Sequence, residues 1–330
     1  DLIGAAVGCL GVLGVLQVID APSAILIIAA VAAASAMMFA RSGIGCAPEP
    51  PPRGLGFFLK PGAFCITLAV LGLLNGITRH GLQPILVKEQ VDHRSGETIF
   101  ERWNSFSRVI AMPPVIRAPR LWGPSPRLPA IVVPQIWLNI DGDAGTVMFR
   151  FDGDPESARF LSYDVTNLVY ALRSGARTAI VGVGGGRDVL SAWSFGSRDV
   201  TGGGMNPIFV DLLRQPGPFS RFAGLAGLKG VRLINDEARS WFARSTETFE
   251  VLQMSMADTW AATGAGAFTL TENGLYTVEG WRTFLARLDG HGLFSVSRWY
   301  EPDDVDETGR MLSLAVATLL ESGISDPKAH

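Results

Sequence analysis

The feature that most constrains this chain is a glycine-rich turn between a short apolar run and a helix-like segment. Ala179–Val181 is apolar, and four of the next five residues are glycine. Glycine lets the backbone adopt positive φ and approach a ligand closely. A helix starting at Arg187 would offer unpaired backbone N–H groups at its beginning. The order strand, tight turn, helix is typical of a nucleotide or nucleoside cofactor site, although the same turn also occurs without a ligand.

Strand-like and helix-like segments alternate along the C-terminal half. Five such units in a row predict an α/β protein with a parallel, doubly wound, Rossmann-like sheet. Ligands of these sheets lie outside the carboxyl ends of the strands, so the residues after each strand are the candidate site. The predicted strands are 178–181, 199–201, 231–234, 249–254 and 293–296, and the predicted helices are 187–195, 206–214, 238–243, 275–288 and 305–320, with Gly196 just past the first helix.

Two further elements are expected before this sheet. Two strands flanking Asp141-Gly142 predict a β-hairpin. An apolar face from Arg159 to Leu172 predicts one helix that ends near Gly175. The chain is therefore predicted to comprise a membrane region at 1–90, a linker with a small β domain at 91–155, and a Rossmann-like domain at 156–330.

The N-terminal residues read as a membrane anchor. Residues 2–19 and 23–40 are apolar runs separated by Asp20-Ala21-Pro22, which predicts a hairpin of two spanning helices. A third run at about 63–78 predicts another span, with a buried or interfacial helix as the alternative. No basic segment precedes the first run, which favours an anchor over a signal peptide. Since the chain does not begin with Met, we expect it to be a piece of a larger membrane protein.

Composition excludes several kinds of partner. The net charge of −3 provides no basic face, so nucleic acid is not expected as a partner. The four histidines are scattered, and no two cysteines have metal-ligand spacing, so no metal site is expected. The apolar runs indicate a lipid bilayer as a partner.

Polar residues and glycines follow each predicted strand and form the candidate site. Asp258 would hold a cationic substrate or act as a base, and an acid that would bind ribose hydroxyls after the second strand is replaced by glycine. The candidates are, strand by strand, Gly182, Gly184, Gly186 and Asp188; Gly204 and Asn206; Asp236 and Glu237; Ser255, Asp258 and Trp260; and Arg298, with Tyr163, Asp164 and Tyr276 nearby.

Each candidate also has a structural interpretation. Asp236 and Glu237 stand where residues cap the next helix. Asp258 could instead be a loop residue whose side chain bonds to its own turn. Arg298 could instead be the partner in a structural ion pair. Large aromatic side chains such as Trp260 and Tyr276 are commonly buried in the core of such a fold.

Several motifs in order resemble one family. The run from Glu101 to about Tyr300 resembles the spermidine synthase family (polyamine aminopropyltransferases), a branch of the class I S-adenosylmethionine-dependent methyltransferase fold, and is most similar to its membrane-attached bacterial members. The motifs that carry the resemblance are Leu138-Asn139-Ile140-Asp141-Gly142, Tyr163-Asp164, Val181-Gly182-Val183-Gly184-Gly185-Gly186, Asn206-Pro207, Asp236-Glu237-Ala238-Arg239, Met256-Ala257-Asp258-Thr259 and Leu275-Tyr276-Thr277-Val278-Glu279.

The resemblance implies a pocket for S-adenosylmethionine, its decarboxylated form or methylthioadenosine. It places the cofactor at the glycine turn, Asp188, Gly204, Asn206, Asp236 and Glu237. A carboxylate after the fourth strand would orient an amine that attacks the carbon beside the sulfonium, with Asp258 and Ser255 as the catalytic candidates. Two positions depart from the family pattern: Ser255 replaces the first acid of the catalytic loop, and Gly204 replaces the ribose-binding acid.

These expectations combine into one function and two alternatives. The chain is predicted to be a membrane-anchored transferase that moves an aminopropyl or methyl group to a small amine. Its C-terminal domain would lie in the cytoplasm of a bacterium, at the inner membrane, and the chain would be able to form a homodimer. The main alternative is a catalytically impaired binding or regulatory domain on a membrane protein. A nicotinamide-dependent oxidoreductase ranks last, because no hydride-transfer constellation is visible.

Overall fold

The computed structural model describes most of the chain in two compact units. One unit comprises Asp1–Met112 with Ile140–Asp143, and the other comprises Pro113–Asn139 with Ala144–His330. The predicted domain boundaries at residues 90 and 155 stay predictions. The residues described are 2–41, 61–78, 81–82, 86–87, 90–91, 97–142, 144–257, 272–300, 302–303 and 306–330.

The first unit contains three apolar helices and two short antiparallel strand pairs. Asn75 Nδ2 donates to Ser23 Oγ at 2.8 Å and so connects the second and third helices. Among the described residues, Ala21–Phe39 is the one stretch both long and apolar enough to cross a membrane, whereas the other two apolar helices are shorter. The elements are α1 Leu2–Val15, α2 Ala21–Arg41, α3 Pro61–Ile77, β1 Leu86–Val87, β2 Gln90–Val91, β3 Phe100–Trp103 and β4 Arg108–Ala111.

The second unit begins with three strands, β5 Val115–Arg117, β6 Val133–Ile140 and β7 Ala144–Phe149. β6 pairs with both β5 and β7, and its pairing with β5 is antiparallel. The residues after β7 connect it to a parallel sheet, which is the larger sheet of this unit.

That sheet has five strands in the order β10-β9-β8-β11-β12, and every neighbouring pair is parallel. The chain moves outward from β8 to β10 and then returns to the other side of β8, so the strand order reverses between β8 and β11. The predicted parallel α/β architecture is confirmed, and the reversal marks where such folds bind ligands. The strands are β8 Thr178–Val181, β9 Val200–Gly204, β10 Val231–Asn235, β11 Phe249–Ser255 and β12 Leu288–Ser297.

Helices cover both faces of this sheet. Alternate residues of β11 point to opposite faces, so Leu252 packs in a core with Phe242 and Phe284, while the Gln253 side chain meets Tyr170 on the other face. The sheet is therefore doubly wound, as predicted. The helices are α4 Leu168–Leu172, α5 Arg187–Ser194, α6 Pro207–Arg214, α7 Pro218–Ala223, α8 Ala238–Arg244, α9 Val278–Leu285 and α10 Asp306–Glu321, with 3₁₀ segments at Pro155–Tyr163, Val165–Asn167, Glu272–Leu275 and Pro327–Ala329.

Several sequence-based element boundaries were wrong. β12 spans Leu288–Ser297 rather than residues 293–296, because α9 already ends at Leu285, and two helices also depart from their predicted ranges. The single helix predicted from Arg159 to Leu172 is interrupted at Asp164, whose backbone is extended and whose side chain accepts from the Thr166 amide. The helix expected to start at Leu275 starts at Val278, because Thr277 caps it through a bond from the Gly280 amide. Gly196 lies just past α5, as predicted, and has φ of 99°.

Candidate functional site

The glycine turn follows β8 directly, at the reversal of strand order. Gly182, Gly184 and Gly186 have φ of 87°, 46° and 85°, values that favour glycine. The Gly182 and Val183 amides both donate to the Gly203 carbonyl, at 2.9 and 3.1 Å. The turn therefore stays attached to the end of β9 while its backbone curves away from the sheet.

β7 packs against this turn and leaves no room for larger residues. The Gly185 amide donates to Thr146 Oγ1 at 3.3 Å. A Cβ at Gly184 would lie 2.9 Å from the same hydroxyl oxygen, and a Cβ at Gly185 would overlap the Val147 carbonyl. Gly186 precedes α5 and offers no side chain to cap it. Glycine is thus required by sterics as well as by φ.

A buried ion cluster lies where α5 begins. Arg187 is 4% exposed, and its Nη1 donates to Asp164 Oδ2 at 2.8 Å and to Thr166 Oγ1 at 3.2 Å. Its Nη2 lies 2.7 Å from Asp188 Oδ1 and 3.4 Å from Ser255 Oγ. One guanidinium therefore joins the segment before α4, the start of α5 and the end of β11.

The carboxylate of Asp164 is fully used within the fold. It accepts from the Trp122 and Gly123 amides, both at 3.1 Å, and from the Thr166 amide at 3.2 Å, besides its bond from Arg187. Trp122 also stacks near Arg187, with 5.5 Å between the guanidinium carbon and the ring centroid. These four donors account for the usual accepting capacity of a carboxylate, which indicates a structural role for the Asp164 side chain.

Fewer of the described donors reach the Asp188 carboxylate than reach the Asp164 carboxylate. Burial raises the pKa of its carboxyl group, Arg187 opposes this shift, and the nearby Asp164 charge adds to it. Oδ1 of Asp188 is buried and forms an ion pair with Arg187. Burial also raises the pKa of Tyr170, whose hydroxyl bonds to Gln253. Asp188 thus faces the interior of the fold, and its predicted contact with a cofactor stays a prediction.

The end of β11 combines strain with several contacts. Met256 has φ of 51°, one of two positive values at non-glycine residues among those described. Its amide donates to the Ser297 carbonyl at 3.0 Å, and the next carbonyl, that of Ala257, accepts from the Tyr276 hydroxyl at 3.0 Å. A Cβ at Gly182 would meet Ala257 at 3.4 Å, so this segment adjoins the glycine turn. Asp258 and Trp260, predicted to follow it, lie outside the described residues.

The ends of β9 and β10 use their polar groups in capping. Asn206 Oδ1 accepts from the Ile208 amide at 3.1 Å and caps α6. Glu237 caps α8 by accepting from the Arg239 and Ser240 amides at 2.9 and 2.8 Å. Burial acts to raise the pKa of Glu237, but the bonds from Ser240 and Arg239 outweigh it and lower the pKa.

Asp236 and Gly204 complete that side of the candidate site. Asp236 is paired with Arg244, and its amide donates to the Gly204 carbonyl at 3.2 Å. A Cβ at Gly204 would lie 3.0 Å from Val183 Cγ2, a close approach. The capping alternative holds for Glu237, and cofactor binding by Gly204, Asn206, Asp236 and Glu237 stays a prediction.

Arg298 follows β12 directly and contacts Tyr276, which lies shortly before α9. Arg298 is paired with Glu307 of α10, and its Nη1 donates to the Tyr276 hydroxyl at 3.3 Å. The carbonyl of Tyr163 accepts from the Ser125 amide at 2.7 Å. The substrate roles predicted for Tyr163, Asp164, Tyr276 and Arg298 stay predictions.

Several residues at this edge of the sheet were not identified from sequence. Arg187 follows the glycine turn immediately, and that position could have drawn attention to it. No local pattern marks Thr146, Gln253 or Glu307, because their partners are distant in sequence. Among the described residues, no cluster of three or more His, Cys, Asp or Glu could hold a metal ion.

Comparison with known proteins shows similarity in fold only. No family model and no curated protein match the chain. It is similar to a spermidine synthase solved with the transition-state analogue AdoDATO (10% identity, 73% of each chain covered, TM-score 0.40) and to spermidine synthase from Thermotoga maritima (11%, 73% of each, 0.41). A ribosomal protein L11 methylase from Lactobacillus delbrueckii subsp. bulgaricus is 13% identical over 51% of this chain and 70% of that one, with a TM-score of 0.32. Such likenesses assign no residue role and no activity.

Proposed function

We propose that the chain is a membrane-anchored transferase that binds S-adenosylmethionine, its decarboxylated form or methylthioadenosine at the glycine turn. The observation that carries this proposal is the turn itself. It follows the central strand at the reversal of strand order, has positive φ at Gly182, Gly184 and Gly186, and leads into α5. Such a turn brings backbone, rather than side chains, towards a ligand.

The chain's own residues would orient the reaction. The S-adenosyl compound supplies a carbon bonded to a sulfonium, and that bond breaks to release a neutral thioether as an amine nitrogen bonds to the carbon. The glycine turn would hold one side of the compound. Asp258, two residues beyond the strained Met256, would hold the cationic acceptor and take a proton from its ammonium group, which frees the nitrogen lone pair for attack on the carbon. Alignment is the main contribution expected from the protein.

A second candidate is a binding or regulatory domain with the same fold and impaired catalysis. The residues that follow β9 and β10 favour this second candidate. Gly204 provides no carboxylate, Glu237 is engaged as a helix cap and Asp236 is paired with Arg244. No acid at these positions is therefore set aside for the hydroxyls of a ribose.

Calorimetry on the complete 330-residue chain in detergent would test the proposal. S-adenosylmethionine, its decarboxylated form and methylthioadenosine would be titrated separately, with circular dichroism to establish folding. Binding of at least one of them supports the site, and transfer of a labelled methyl or aminopropyl group to an amine then separates the transferase from the binding domain. A folded chain that binds none of the three would refute the cofactor assignment.

Gly204→Glu would test the ribose argument. A carboxylate that bonds two ribose hydroxyls should tighten binding at least about tenfold, given about 1.5–3 kcal/mol for each hydrogen bond to a charged group. Gly204→Gln is the matched control, because it brings the same bulk against Val183 without the charge. Equal affinities for the Glu and Gln variants would show that this position does not meet the ribose.

We further propose that α2 anchors the chain in a bacterial inner membrane, with the C-terminal domain in the cytoplasm. The apolar stretch Ala21–Phe39, with mean hydropathy 2.1, supports the anchor. A reporter fused after His330 would show the side. Activity of a reporter that functions only in the periplasm would contradict the cytoplasmic placement.

A further inference from the structure

We propose that Tyr276, Arg298 and Glu307 form a positioning relay that fixes the peptide immediately before Asp258. The proposal rests on the proposed function, because it gives these residues a purpose at the same site. It assigns Tyr276 and Arg298 a role different from contact with the substrate. Both would act through the Ala257 carbonyl.

The relay is a continuous series of contacts from α10 to the end of β11. Glu307, in the first turn of α10, is paired with Arg298. Arg298 Nη1 donates to the Tyr276 hydroxyl at 3.3 Å, and its guanidinium carbon lies 5.1 Å from the centroid of that ring. The Tyr276 hydroxyl in turn donates to the Ala257 carbonyl at 3.0 Å. The charge on Arg298 thereby orients the hydroxyl, which accepts from it and donates onward.

The residue before the one that receives this bond adopts a backbone conformation that needs support. Met256 has φ of 51°, which is unfavourable for a side chain that carries a Cβ. Such conformations persist where the surrounding structure over-determines them, and they cluster at functional sites. Here the Met256 amide is held by the Ser297 carbonyl at 3.0 Å, and Tyr276 holds the next residue. β12 and its neighbouring segments thus restrain the Met256 amide and the Ala257 carbonyl, on either side of the peptide that joins these two residues.

The chemistry of the two side chains fits positioning better than substrate capture. The one hydrogen of the Tyr276 hydroxyl is committed to Ala257. The Arg298 side chain is 14% exposed and already carries a carboxylate partner. A cationic amine would also be repelled by the Arg298 charge, so this pair would be a poor binding site for the proposed acceptor.

Hydrogen exchange of the complete chain would test the relay without any ligand. Tyr276→Phe keeps the ring and removes the hydroxyl, and Arg298→Met removes the charge. Each should accelerate amide exchange in the segment 255–257 by about fivefold, the effect of losing one net hydrogen bond of about 1 kcal/mol. Tyr300→Phe and Arg310→Met, at exposed positions, are the matched controls. Exchange unchanged from the parent in both relay variants would overturn the proposal.

Two further variants exclude general destabilisation as the cause. In a Met256→Gly background the left-handed conformation costs little, so Tyr276→Phe should accelerate exchange less than it does in the parent. Arg298→Lys keeps a donor for the hydroxyl and a charge for Glu307, and should restore part of the protection lost in Arg298→Met. An equal effect of Tyr276→Phe in both backgrounds would show that the relay does not support Met256.

A kinetic split distinguishes positioning from substrate contact. In the transferase assay Tyr276→Phe should lower kcat while the KM for the amine and the affinity for methylthioadenosine stay at their parent values. A raised amine KM with unchanged kcat would show that Tyr276 touches the substrate and would overturn the proposal. Failure of the parent chain to bind any S-adenosyl compound would refute the proposed function, and the exchange experiment would still decide whether the relay exists.

Discussion

The strand ends after β8 and β11 solve the same conformational problem in different ways. Both require backbone with positive φ at the carboxyl edge of the sheet. After β8 the chain uses glycine at 182, 184 and 186, for which this conformation is favourable. After β11 it uses Met256 and restrains the neighbouring peptides through Ser297 and Tyr276.

The conformation of the glycine turn follows from its own residues, whereas the conformation at Met256 is held by contacts with residues distant in sequence. The glycine turn would keep its local preference without its neighbours, although β7 fixes where it lies. The conformation at Met256 depends on elements that are far along the chain, and is therefore sensitive to changes there. Arg187 contacts both regions, since it follows the turn and reaches Ser255.

The largest expected effect comes from removing Arg187. Arg187→Met leaves Asp164 and Asp188 buried without their cation, and should lower the free energy of unfolding by about 3–5 kcal/mol. Denaturant titration of the full chain measures this loss. Arg173→Met, at an exposed position, is the control and should cost well under 1 kcal/mol. A small effect of Arg187→Met would mean that the two strand ends are independent of this cluster.

Gly186→Ala should have the next largest effect. The new Cβ would overlap Leu225, and alanine would be forced to φ near 85°. Left-handed strain and overpacking together should cost about 2–4 kcal/mol in the same titration. Gly227→Ala is the matched control, because nothing lies within 4 Å of its Cβ. If both alanine variants are equally stable, the turn is not constrained by packing.

Glycine substitutions at the end of β11 should change stability less, and they distinguish backbone strain from flexibility of the unfolded chain. Met256→Gly relieves the unfavourable φ but adds freedom to the unfolded chain, so stability should stay within about 0.5 kcal/mol of the parent. Ala257→Gly relieves no positive φ and should cost about 1 kcal/mol. Thermal unfolding of the pair tests the comparison. A larger loss for Met256→Gly than for Ala257→Gly would show that Met256 is not strained.

The smallest effect should appear in the pH dependence of stability. Since the folded state raises the pKa of Asp188 above its usual value of 3.8, the folded chain binds the proton more tightly than the unfolded chain. Stability should fall as pH rises from about 3.8 towards the raised pKa. Asp188→Asn should flatten this part of the profile of stability against pH. Profiles that coincide for parent and Asp188→Asn would show that Asp188 does not titrate in this range.

Local patterns predicted most of the parallel sheet. The strand–helix alternation, the position of the glycine turn and the position of Gly196 just past α5 depend on residues within a few positions of one another, and all appear as expected. The helix predicted over residues 159–172 was wrong because its apolar periodicity was clear while the capping at Asp164 was overlooked. Asp164 and Thr166 are two positions apart, which is the spacing of a side chain that bonds to backbone nearby.

The connections within the candidate site were not predictable in the same way. Arg187 meets partners at 164, 166, 188 and 255, and Tyr276 meets the Ala257 carbonyl. No single-sequence pattern reports which distant side chains share a buried position. The capping role of Glu237 was one of two interpretations open from sequence, and only its two short bonds to the Arg239 and Ser240 amides distinguished them.

The strand order has a consequence for how the chain is made. β8 can pair with β9 soon after synthesis, but its other edge stays open until β11 arrives roughly 70 residues later, which takes roughly 3 to 14 s at about 5–20 residues per second. For that interval the nascent chain exposes one unpaired edge of the central strand beside a finished glycine turn. Open strand edges invite wrong pairing, so a chaperone acting on the emerging chain would be most useful during this delay.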